Sequence, residues 1–149
     1  MYLTTVIDLY DRKIIGWSLS KGMSTEETSL TAWKMAVKNR KTADGLIFHS
    51  DRGVQYASKK FVNTLDFYNV TRSMSRRGNC WDNAVAESFF KSLKTELIYG
   101  NKLITKEQMQ LEIFEYIEIW YNKKRRHGKL NFKTIEEFNN QNKIYQNVA

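Results

Sequence analysis

Residues 45–56 read GLIFHSDRGVQY, a short apolar run broken by an aspartate. Leu46, Ile47 and Phe48 have the composition of a buried strand. Asp51 follows at its carboxyl end, with Arg52 and Gly53 directly behind it. A carboxylate at the rim of a core is costly unless something pairs with it. The position therefore asks for a partner.

Outward from this stretch, strand and helix patterns alternate. Tyr2–Tyr10 is rich in β-branched and aromatic residues, Asp11 and Arg12 read as a turn, and Lys13–Ser20 returns, predicting a hairpin. A helix is expected over about Thr25–Asn39, with Ser24 and Glu27 at capping-box spacing and Leu30, Trp33, Met35 and Val37 on its apolar side. Ser58 caps a second amphipathic helix carrying Phe61, Leu65 and Tyr68, and Val70–Ser75 reads as a short strand. The segment RRGNCWDN (76–83) has no periodicity and reads as a loop, with Cys80 and Trp81 as packing residues and Asp82 and Asn83 as caps of the next helix. That helix, Ala84–Gly100, carries Val85, Phe89, Leu93 and Leu97 in one stripe. Another, Thr105–Asn122, has Ile113, Ile117, Trp120 and Tyr121 as its apolar side and its aromatics in the core. A basic run follows over 123–129, then a last short helix begun by KTIEEFNNQ (133–141), and a loose tail from Lys143. The order predicts an α/β sheet with helices packed on its faces.

Bulk composition narrows the function. The 149 residues suffice for one domain with one core, and 42% apolar content argues against disorder. A formal net charge of +8 favours a polyanionic partner, nucleic acid ahead of an acidic membrane surface. The lone Cys80 can form no internal disulfide and belongs to no cysteine cluster for zinc, which suits a reducing cytoplasm. No run is long enough to span a membrane, and the start MYLTTVIDLYDRK lacks the pattern of a secretory signal.

Glu87 is the second carboxylate of interest. It lies in the first turns of its helix among Ala84, Val85, Ala86, Ser88, Phe89 and Phe90, with thirty-five residues between it and Asp51. An acid at a strand end and one at a helix start can converge on a divalent cation, and Mg²⁺ takes such hard oxygen ligands with water and phosphate. Lys91 lies one turn after Glu87, and at about 100° per residue Lys94 returns to within about 20° of its direction. Two readings stand side by side: a metal-and-phosphate face, or a Glu–Lys pair on a solvated face, worth roughly 0.2–0.5 kcal/mol.

The words around these residues decide between them. HSDRGVQYAS (49–58), SMSRRGNCWDNAVAESFFKSLKTEL (73–97) and YNKKRRHGKLNFKTIEEF (121–138), with YLTTVIDLYDRKIIGWSLS (2–20), resemble the catalytic core of bacterial insertion-sequence transposases of the IS-three family, relatives of retroviral integrases. The resemblance implies a DDE triad on an RNase H-like fold, with residues 1–100 as a partial integrase catalytic core and 101–149 as a helical extension bearing the basic segment. It carries the second aspartate onto Asp51 and the glutamate onto Glu87, both as catalytic and metal-binding residues for Mg²⁺ or Mn²⁺. Lys94 matches a basic residue that approaches the DNA end. Lys91, Arg77, Asn83, Lys124, Arg126 and His127 join it as expected DNA contacts, with Arg77 and the basic run also readable as solvated segments. The implied chemistry is attack by water on a phosphodiester at an element end, then attack of the freed 3′-hydroxyl on another strand. DNA is the implied partner and a homo-oligomer is expected; no membrane or small-molecule partner is.

The resemblance also places a first aspartate on a strand ahead of Tyr2, a motif this chain does not contain. Asp8 and Asp11 fall in the hairpin and are read as turn and hydrogen-bonding residues. In such a sheet the first strand is central, so the strands at Tyr2 and Leu46 are expected to keep open edges. The expectation is a truncated or mis-started core, inactive alone as a transposase. The competing expectations are a DNA-binding or interfering remnant and a decaying reading frame. His49 reads as a satisfied core histidine or a group behind the metal ligand, and Thr134-Ile135 departs from the family's Thr-Pro.

Overall fold

The computed structural model describes residues 1–77, 83–100 and 104–148, with side chains to residue 144. Cys80, Trp81 and Asp82, read above as packing and capping residues, lie outside the described residues. The chain forms two compact units, Met1–Ile7 with Ile15–Glu87, and Asp8–Ile14 with Ser88–Ala149.

In the first unit, β1 (Tyr2–Ile7) pairs with β2 (Ile14–Ser20), and β3 (Ile47–Ser50) pairs in parallel with β4 (Thr71–Met74). These are two separate two-stranded sheets among the described residues, so β1 and β3 each keep an edge unpaired, as the sequence reading expected. The register matches Ile47 to Thr71 and Ser50 to Met74. A π-helical turn, Glu26–Leu30, leads into α1 (Thr31–Asn39). The Ser24 hydroxyl accepts from Glu27 N–H at 3.3 Å and donates to the Glu27 carboxylate at 3.1 Å, as the capping spacing foretold. α2 (Val54–Ala57) and α3 (Lys59–Phe67) cross from β3 to β4; the sequence reading had no counterpart for α2. Ser58 caps α3 by accepting from Phe61 N–H at 3.3 Å. Asn69, at φ 56°, turns the chain out of α3 in a left-handed conformation that asparagine tolerates.

Leu30, Trp33, Phe61, Leu65 and Val70 make the core of this unit, with Phe48, Tyr56 and Tyr68 half-buried against it. Ile47 corrects the sequence reading: it is 63% exposed, because a strand points alternate residues to opposite faces and only Leu46 and Phe48 meet the core. β1 also ends at Ile7, short of the expected Tyr10. Asp8 intervenes, its carboxylate accepting from Tyr10 N–H at 2.9 Å and its carbonyl from Arg12 N–H at 2.8 Å, with Arg12 left-handed at φ 68°.

The second unit, from Ser88 on, is helical. α4 (Ala84–Leu93), whose first four residues count with the first unit, runs into a π-helical turn at Lys94–Ile98, and α5 (Lys106–Glu115) into another at Tyr116–Lys124. A short 3₁₀ turn, Gly128–Leu130, precedes α6 (Ile135–Val148). Phe89, Leu93, Leu97, Ile113, Tyr116, Ile117 and Tyr121 are buried, with the Phe89 and Tyr121 rings edge to face at 5.0 Å. Trp120 and Phe114 are not core residues as expected, at 44% and 47% exposure. The tail expected to be loose from Lys143 continues α6 to Val148. Thr134 starts that helix without proline: its hydroxyl accepts from Glu137 N–H at 3.2 Å, and Glu137 accepts from Thr134 N–H at 3.0 Å. Asp11 is buried as a hydrogen-bonding residue, accepting from Lys13 N–H at 3.0 Å and Asn139 Nδ2 at 2.9 Å.

Candidate functional site

Asp51 sits where β3 gives way to α2. Its Oδ1 accepts from Gly53 N–H at 2.7 Å, which turns the chain away from the strand. The residue is exposed, and Oδ2 makes no hydrogen bond among the described residues. Beneath it, the Tyr56 ring packs 5.6 Å from that of Phe61. Burial and then the negative charge of Asp51 push the Tyr56 phenol up, against a hydrogen bond from Gln55, so it stays protonated at neutral pH. His49 resolves to a satisfied histidine, its Nδ1 3.0 Å from Ser73 Oγ and its Nε2 3.1 Å from Ser75 Oγ.

Glu87 lies in the first turn of α4, exposed, with no hydrogen bond or ion pair among the described residues. Asp51 likewise has no ion pair among them. This is notable in a chain with 24 Lys and Arg against 16 Asp and Glu, where a cation partner is easily found. Both are hard oxygen donors. Among the described residues no group of three His, Cys, Asp or Glu converges into an all-protein cage. Each carboxylate is a hard oxygen donor of the kind a divalent cation takes while water and phosphate complete its shell, so in donor chemistry the two residues suit such an ion.

The other expected site residues divide between the units. Arg77 is exposed just after β4, and Asn83 is half-buried just before α4, both in the first unit. Lys91, Lys94 and Lys124 are exposed in the second. Arg126 is exposed but engaged, donating to Phe132 O at 3.1 Å and pairing with Glu137 at 3.3 Å. His127 corrects the reading of the basic run. It is 5% exposed, its Nε2 lies 3.1 Å from Tyr121 O, and its ring sits edge-on to Tyr121 at 4.8 Å. Burial holds its imidazole below the usual value, which favours the neutral ring.

Sequence reasoning missed the Glu96 network. The carboxylate accepts from Tyr116 Oη at 2.7 Å, Trp120 Nε1 at 3.0 Å and Arg125 Nε and Nη2 at 3.2 and 3.1 Å. Arg125, within the basic run, is thereby a structural residue, also reaching Ser92 Oγ at 3.3 Å. Burial works against the Glu96 charge, but the bonds from Trp120, Tyr116 and Arg125 outweigh it and hold the carboxyl below its ordinary value. A carboxyl so depressed adds stability above its unfolded-state value, and that stability is lost as pH falls through the folded value. Glu96→Ala is therefore expected to lower neutral-pH stability by about 2 kcal/mol. In urea titrations the gap to wild type should narrow below the ordinary carboxylate range; a gap independent of pH contradicts the charged network.

Two family models described as integrase core domain match the chain, over residues 1–80 and 87–142. It is 45% identical over 142 residues to the transposase InsF for insertion sequence IS3fB of Escherichia coli (strain K12), covering 95% of this chain and 49% of that protein. It is 41% identical over 142 residues to the transposase for insertion sequence element IS904 of Lactococcus lactis, covering 56% of that protein. The chain thus spans about half the length of the curated relatives it matches. Among solved structures, the catalytic core domain of BIV integrase superimposes with a TM-score of 0.65 at 15% identity, over 97% of this chain and 88% of that one. At that identity the likeness speaks to fold, and it bears out the RNase H-like, integrase-type architecture expected from the sequence.

Proposed function

The chain belongs to the integrase core domain family, and from that membership we propose that it is the part of an insertion-sequence transposase that grips DNA through a divalent cation held by Asp51 and Glu87. Its superfamily generally uses divalent metals. Mg²⁺ or Mn²⁺, when bound, would polarise a phosphoryl oxygen and lower the pKa of attacking water. The rest falls to the protein. Asp51, its carboxylate set by Gly53 N–H, would hold the ion together with the carboxylate of Glu87 at the start of α4. Lys91, Lys94, Lys124, Arg77 and Arg126 attract phosphates, and Asn83 stands beside Glu87's helix as a further contact. In the complete protein the reaction is cleavage and joining of DNA strands, with two DNA ends brought together by more than one copy.

The observation that carries this reading is the pair of exposed carboxylates with no cation partner among the described residues, in a chain of net charge +8. The test is Mn²⁺ titration of ¹⁵N-labelled protein. Amides around Asp51 and Glu87 are expected to broaden first, and Asp51→Ala should abolish this with unchanged melting temperature. Broadening confined to other acidic residues overturns the assignment. A second expectation concerns DNA. Binding to a short duplex should weaken linearly in log–log with salt, and Lys94→Ala plus Lys124→Ala should reduce the slope by about 2. A salt-sensitive shift without any metal response favours the other reading, a DNA-binding remnant, which the excess of exposed lysines supports.

A further inference from the structure

We propose that Ser75 is the positioning residue for Asp51, a reading that rests on the assignment of Asp51 as a metal ligand. Asp51 is exposed, and among the described residues its carboxylate is held only through Gly53 N–H. The residues on either side of it, however, converge on one buried serine just past the end of β4. Ser75 N–H donates to Ser50 O at 2.8 Å, extending the β3–β4 ladder by one rung. Its hydroxyl lies 3.3 Å from the same carbonyl, in donating geometry. His49 Nε2 lies 3.1 Å from that hydroxyl. From the far side of Asp51, Arg52 Nε donates to Ser75 O at 3.0 Å.

The backbone rung alone is ordinary parallel pairing. The side-chain bonds are not required by it. They tie residues 49, 50 and 52 to a single point, so the Cα of Asp51 is pinned on both flanks while Oδ2 stays open. A ligand carboxylate needs this arrangement, because an ion gains affinity when its ligands are fixed before it arrives. Ser73 Oγ, 3.0 Å from His49 Nδ1, sets the ring for this contact.

The test has two arms on the same labelled protein. The first needs no metal: backbone order parameters of Asp51 and Gly53. In wild type they should sit near the rigid value of about 0.85, and in Ser75→Ala they should fall below about 0.6. Ser75→Thr, which keeps the hydroxyl, should restore them. Arg52→Ala, an exposed change that breaks the tie on the other flank, should lower them as well. Melting temperatures guard against general loosening. The second arm is Mn²⁺ affinity from the broadening titration, expected to fall about tenfold in Ser75→Ala and to recover in Ser75→Thr. Unchanged order parameters in both Ser75→Ala and Arg52→Ala overturn the proposal and leave the metal assignment standing. Loss of order without any Mn²⁺ response in wild type overturns the metal assignment, and the positioning role with it.

Discussion

Gly16→Ala is expected to destabilise the N-terminal unit by about 3 kcal/mol, the upper part of the range for overpacking. A Cβ at this position of β2 would lie 2.1 Å from Ala32 O, 2.7 Å from Ala36 N and 2.8 Å from Ala36 Cβ. Two of those atoms are main chain of α1, so no rotamer change relieves the contact. Strand and helix must separate, which opens the buried seam around Ala32 and Ala36. For a chain of this length the loss corresponds to a melting temperature lower by roughly 6–12 °C. Gly100→Ala is the control: among the described residues nothing lies within 4 Å of its added Cβ, and a change within about 0.5 kcal/mol is expected. Thermal unfolding followed by circular dichroism measures both. Equal melting temperatures for the two variants contradict the close approach of β2 to α1.

Asn122→Leu should cost the C-terminal unit roughly 2–5 kcal/mol. Asn122 is 4% exposed and treats the main chain of Ile14 as a neighbouring strand would. Its Oδ1 accepts from Ile14 N–H at 3.0 Å, and its Nδ2 donates to Ile14 O at 2.9 Å. Leucine has the same number of side-chain heavy atoms in the same branched shape and leaves no cavity, so the loss comes chiefly from two buried backbone groups left without partners. Asn122→Asp separates the terms further. It keeps one acceptor but sets a second carboxylate oxygen against Ile14 O. Burial and that repulsion raise the carboxyl's pKa, and once protonated it donates where Nδ2 did. The penalty of Asn122→Asp is therefore expected to shrink as pH falls. Urea unfolding of the two variants over a pH series checks this, and a penalty for Asn122→Asp that grows on acidification rejects the bonding role.

What could be read before any coordinates were interactions that close over a few residues. Ser24 with Glu27 and Ser58 with Phe61 span three positions each. Within so short a reach, one local backbone conformation decides the partner. Where only the pattern was available, the reading was less sharp. A three-residue apolar run such as Leu46–Phe48 does not say which face is inward, and Ile47 is the residue that faces out.

The sequence by itself determined the α/β class, the alternation of strands and helices, the strand-end aspartate and the helix-start glutamate, and the family words that link them. Only the tertiary structure decided that Asn122 serves Ile14 across 108 positions, that Glu96 gathers Tyr116, Trp120 and Arg125, that His127 leaves the basic surface for the interior, and that Ser75 ties down both flanks of Asp51. The reason is physical. A hydrogen bond between distant residues forms only after packing has cleared water from between them, so its partner is chosen by the assembled core and leaves no spacing in the chain.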